Sequence, residues 1–162
     1  MNIPNITVKY GKLIDPYLKD WVKDRYPDYK FPTQEEVNDK IKLFKKVVEE
    51  NRGMLEKACE FTGMEFKRNQ IDVFVVSAVN RDMSAPLIIR SRWNEEEFLE
   101  KFIHEILHVL FGDNKFSPEG ENRTVANHLH VYAVMRHLGF EVKPKDPDYV
   151  KAWELSKEYK FK

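Results

Sequence analysis

Apolar side chains recur at intervals of three and four along most of the chain, with two short runs in which the apolar residues are nearly continuous. The stretch 15–25 reads as a first helix, closed by Pro27. Thr33 followed by Gln34, Glu35 and Glu36 has the form of an N-cap with an acidic first turn, and Val37, Ile41, Phe44, Val47 and Val48 then repeat at helical spacing. This second helix extends as far as Thr62 unless Asn51, Arg52 and Gly53 break it in two, since a glycine inside a helix costs roughly 1 kcal/mol against alanine.

The two apolar runs, IDVFVVSA at 71–78 and PLIIRSRW at 86–93, are β-branched and aromatic, which predicts a hairpin or two neighbouring strands with NRDMSA as the turn. Asn94 then stands as an N-cap, Glu95 to Glu97 suit the positive end of a helix, and FLEKFIHEILHVLF carries it on to Gly112 as its stop. Ser117 and Pro118 open the next predicted helix, which ends at Leu138 before Gly139. A last amphipathic helix spans 148–159. The pattern predicts an α+β fold, mainly helical, with a small sheet. Without repeat or linker, 1–162 reads as a single unit, with a helical N-terminal part at 1–63 and a catalytic core at 64–162.

Composition narrows the classes. Hydrophobic residues make up 42% of the 162, enough to bury one core. Lysine plus arginine and aspartate plus glutamate both number 27, so net charge gives no reason to expect a nucleic-acid or anionic-membrane partner. Cys59 is the only cysteine, which rules out an internal disulfide or a cysteine-rich metal cluster. With no apolar leader and no run approaching ~20 apolar residues, the expected location is the cytoplasm.

The chemistry concentrates in HEILH, residues 104–108, inside a predicted helix. At about 100° per residue, His104 and His108 stand one turn apart and about 40° around the axis, so both imidazoles can reach one ion, the arrangement a zinc site needs. Glu105 lies beside them, placed to deprotonate a water without entering the coordination sphere. Leu99, Phe102, Ile103, Ile106, Leu107, Val109 and Leu110 cover most of the helix. Glu97, Lys101, His104, Glu105 and His108 share one polar wedge, which faces either a cleft or bulk water.

A catalytic zinc takes three protein ligands, and all five histidines lie between 104 and 137. On the wheel of the helix 118–138, His128 shares its direction with Val125, Leu129, Val131, Tyr132 and Met135, whereas His130 and His137 point to the opposite side, toward water. His128 is therefore the favoured third ligand. Glu121 lies on the same face but about 10 Å away along the axis, and is the alternative; Glu119 and Asp113 are further candidates.

At these residues the chain resembles the zincin metallopeptidases, whose H-E-x-x-H helix supplies two ligands and the catalytic glutamate. The order of elements from Ile71 onward is similar to a minimal zincin. The resemblance implies a zinc-dependent hydrolase that cleaves peptide bonds, with Zn2+ as cofactor and a peptide or protein as substrate. It also implies a peptide-binding edge at 86–93. Two subfamily patterns are missing: Phe111 and Asn114 occupy the glycine and third-histidine positions of the metzincin extension, and Glu121 has Val125 rather than an acid four residues on.

HEILHVLFGDN is also similar to the H-G-x-L-H-x-x-G-x-D-H motif of bacterial metal-dependent endoribonucleases, with Glu105 for the first glycine, Gly112 shifted by one position and Asn114 for the last histidine. The alternatives are thus a metal-dependent endoribonuclease and a non-catalytic metal-binding or interaction protein. Arg90, Arg92, Tyr132 and Arg136 are unranked candidates for steadying an oxyanion. The N-terminal region, with its extended NITVKY, is expected to cover the cleft, so that deleting 1–32 raises activity.

Overall fold

The computed structural model describes residues 1–79, 81–116, 119–120 and 122–161. Strand β1 (Asn5–Tyr10) is followed by helices α1 (Asp15–Arg25), α2 (Gln34–Glu50) and α3 (Gly53–Thr62), so the predicted second helix does break at Asn51–Gly53. Strands β2 (Gln70–Val76), β3 (Met83–Ser84) and β4 (Leu87–Arg90) come next, then α4 (Glu95–Asp113), α5 (Arg123–His137) and α6 (Pro147–Leu155). The fold is mainly helical α+β, as expected. No helix among the described residues is long and apolar enough to cross a membrane.

The sheet order is β1-β2-β4-β3, with β1, β2 and β4 parallel and β3 antiparallel to β4. Of the two arrangements expected for the apolar runs, the structure has the neighbouring strands, paired in parallel, and not the hairpin. Strands buried on both faces lose the in-out alternation of a hairpin and suit a parallel interior, and Leu87, Ile88 and Ile89 are all buried. The hairpin is instead made by β3 and β4, around Ala85 and Pro86, with β3 inside the segment read as a turn.

The expected cover is also corrected. β1 pairs with β2 from Asn5↔Gln70 to Tyr10↔Val75, at the edge of the sheet farthest from β3. At Gly11 an added Cβ would stand 2.9 Å from Val76 Cγ1, so glycine permits the close turn into α1. There the fully buried Asp15 carboxylate accepts from the Ser77 amide, the Ser77 hydroxyl and the Tyr10 hydroxyl, each at 2.7 Å. Residues 1–63 thus share one sheet and one core with the rest, and no described residue before Arg68 lines the cavities at the histidines.

Helix α4 is fixed at its start by a capping box, Asn94 accepting from the Glu97 amide at 2.8 Å and Glu97 from the Asn94 amide at 3.1 Å. It packs on α2 through Phe44 and Phe98, stacked with centroids 3.8 Å apart, and buries Phe102, Ile103, Ile106, Leu107 and Leu110. Helix α5 crosses its other side. It begins at Arg123, capped by the Asn122 side chain on the Val125 amide, later than the expected start: Glu119 and Gly120 are not helical, and Ser117, Pro118 and Glu121 lie outside the described residues. Gly139, at φ +89°, turns the chain out of α5, and Arg136 ties α6 back through the Ser156 hydroxyl and the Trp153 carbonyl, both at 2.8 Å.

Candidate metal centre

The apolar surface of α4 is consumed by the sheet, α2 and α5, which leaves its polar wedge facing a cleft between β3 and the start of α6. Across that cleft α5 presents His128. The ligand nitrogens of His104, His108 and His128 lie within 4.8 Å of one another. The Nε2 atoms of His104 and His108 are 3.3 Å apart. Two nitrogens bound to a tetrahedral zinc at about 2.0–2.1 Å each would stand about 3.3–3.4 Å apart, so this pair already has the spacing of a chelate.

His128 is held in one tautomer. Its Nδ1 sits 2.8 Å from the Thr124 carbonyl, which only accepts, so Nδ1 carries the proton and Nε2 keeps its lone pair for a ligand. Tyr149 of α6 packs against the His128 ring at 4.4 Å, and Tyr132 lies 5.7 Å from His104 and 6.0 Å from His128, ring to ring.

Burial shapes the electrostatics. It holds His104 well below the usual imidazole range, helped by the charges of His108, His128 and Lys101, and lowers His108 to about 3; His128 is lowered as well. All three rings are therefore neutral at neutral pH, the state in which imidazole binds a metal. Glu105 is pushed up to about 7, first by burial and second by the negative charge of Asp82. Burial also raises the Tyr132 phenol, which stays a hydroxyl donor. Three convergent neutral imidazoles beside a half-buried carboxylate and an open cleft form a donor set that fits a catalytic zinc.

The cleft has three connected parts. A cavity of about 390 Å³ is lined by His104, Glu105, His108 and His128 together with Arg81, Met83 and Ser84. His104 and Glu105 also border a second, of about 280 Å³, with Tyr132, Lys143, Lys145 and Tyr149. His108 borders a third, of about 450 Å³, walled by Ile71, Phe74, Pro86, Leu87 and Val109.

The other sequence candidates fall elsewhere. Glu121 is outside the described residues; Glu119 is exposed, and Asp113 is engaged by Arg68 and the Lys67 amide. His130, expected to face water, is buried between Phe111 and Phe116, because the turn after α4 folds over that side of α5. His137 is exposed, with its ring stacked on Phe61 at 3.9 Å. Of the oxyanion candidates only Tyr132 and Arg90 reach the cleft, and Arg90 is bound to Asp82 at 3.1 Å. Arg92 lies over Trp93, and Arg136 serves α6. β4 does not form the free edge expected at 86–93; β3 does.

Sequence reasoning passed over Arg81, Asp82 and Tyr149. The first two sit in the segment read as a turn, and Tyr149 in a helix read only as amphipathic; nothing in their local pattern sets them apart. Comparison with family models, curated proteins and solved structures found no match to this chain.

Proposed function

We propose that this chain is a zinc-dependent hydrolase of peptide bonds, with His104, His108 and His128 as ligands and Glu105 as general base. The observation that carries the reading is the convergence of three imidazole nitrogens within 4.8 Å, on two helices, beside Glu105 in a cleft. A zinc ion held there supplies Lewis acidity, polarising the scissile carbonyl and making water acidic enough to lose a proton near neutral pH.

Glu105 takes that proton on a carboxylate oxygen and returns it to the leaving amine. Burial of Glu105 makes its carboxylate a stronger base than an exposed one. Tyr132, kept protonated, offers a hydroxyl to developing negative charge. The free edge of β3, whose Met83 and Ser84 line the central cavity, offers backbone groups to an extended peptide. The partner is a peptide or protein chain rather than a nucleic acid or membrane, and a lone buried Cys59 suits a reducing cytoplasm.

The test joins metal analysis to turnover. Wild type is expected to bind one zinc per chain and to cleave an unfolded protein substrate, and chelation to abolish cleavage. His128→Ala should lose the metal. Glu105→Gln should keep it while turnover drops by at least ~100-fold. Absence of stoichiometric metal uptake, or RNA cleavage in place of peptide cleavage, would refute the proposal.

A further inference from the structure

The second cavity, on the His104 side of the cleft, has an unusual charge arrangement. Four acids line it, and three are already engaged. Asp82 accepts from the Arg90 amide at 2.9 Å, the Arg90 guanidinium at 3.1 Å and the Trp93 indole at 3.0 Å. Glu100 is paired with Lys101 at 2.8 Å, and Asp146 caps α6 through the Asp148 amide at 2.9 Å. The fourth, Glu105, is the proposed base. The cations are not matched in the same way. Arg81, Lys143 and Lys145 line the cavity and make no ion pair among the described residues.

All three residues are exposed. Arg81 immediately precedes the buried Asp82, and Lys143 follows the buried Val142. Arg81 borders both the central cavity and this one, and its charge acts on both Glu105 and His128. On the other side of His108 the wall carries Ile71, Phe74, Pro86 and Leu87 beside Asp72, paired with Lys9, and Arg68, paired with Asp113, so no comparable group of unpaired cations stands there. The two arms of the cleft therefore differ in chemistry.

Building on the hydrolase reading, we propose that Arg81, with Lys143 and Lys145, forms a carboxylate-recognising subsite that selects peptides bearing a carboxylate close to the scissile bond. A guanidinium matches a carboxylate with two parallel hydrogen bonds, and the two ammonium groups add charge without fixed geometry. The carboxylate is supplied either by an acidic side chain or by a free C-terminus.

Two measurements test it. In the first, the metal-free protein is titrated with paired acetylated peptides: Glu against Gln with amidated ends, and free-acid against amide with no acidic residue. The carboxylate member of at least one pair should bind about ten-fold more tightly, with an advantage that shrinks as salt rises. That ratio should fall toward one in Arg81→Ala and in the Lys143→Ala, Lys145→Ala double variant, and be partly kept in Arg81→Lys. Which pair responds identifies the source of the carboxylate. Equal binding within both pairs, no binding of any peptide, a ratio untouched by the substitutions, or tighter binding of a single-stranded RNA would each overturn the subsite.

In the second, the zinc-loaded protein is offered the same peptides and cleavage is followed. Cleavage without carboxylate preference removes the subsite and leaves the hydrolase. Preference in binding with no cleavage of any peptide removes the hydrolase and leaves the subsite.

Discussion

His130 shows how a single buried ring sets a solution property. Its Nδ1 makes no hydrogen bond of full geometry among the described residues, and burial lowers the ring to about 4 from the ordinary 6.5, the Ala126 carbonyl one turn back offsetting only part of the fall. An unfolded chain takes up that proton near 6.5, so between the two values the unfolded state binds more protons. The contribution to stability is complete above 6.5 and is lost as pH falls toward 4, by up to about 3 kcal/mol from this residue. His104, His108 and His128 are shifted in the same direction and add to the slope. In the metal-free protein, His130→Leu is expected to flatten the fall in urea midpoint across that pH window. A slope identical to wild type would contradict this. The sequence identified the wedge of α4 and the inward direction of His128, because both follow from helical periodicity. It misjudged His130, since a helical wheel assumes one buried side and α5 is covered on two.

At the scale of elements, what was legible was local chemistry. The N-caps at Thr33 and Asn94, the break near Gly53 and the stop at Gly139 all appear where the residues suggested them. The parallel pairing of β2 with β4 was not legible, because two adjacent apolar runs look the same whether they form a hairpin or are separated by a short reversing strand. The same holds for Arg81, whose position depends on β3 turning back toward α4. Asn94 carries a consequence for the site, since the helix it starts holds His104, Glu105 and His108. Asn94→Ala is expected to cost about 1 kcal/mol, lowering the melting temperature by roughly 2–4 °C. A melting point unchanged to within about one degree would show that the cap is dispensable.

For the whole molecule, the decisive fact is that the first strand and the helices carrying the three clustered histidines belong to one core. Removing residues 1–32 takes away β1 and the Asp15 tie to Ser77, and leaves the apolar β2 as an open edge. The truncated protein is therefore expected to lose its sharp cooperative melting, and with it zinc uptake, rather than gain turnover. A truncation that still melts cooperatively and hydrolyses faster would restore the idea of a removable cover.

The unequal edges of the sheet bear on how copies of the molecule meet. β3 offers two residues of backbone, enough to hold a short peptide segment but not the full strand of a neighbouring copy, while β1 at the far side runs for six. Strand-to-strand association between copies would favour β1, so crowding or self-assembly can proceed at one border while the histidines at the other stay open to solvent.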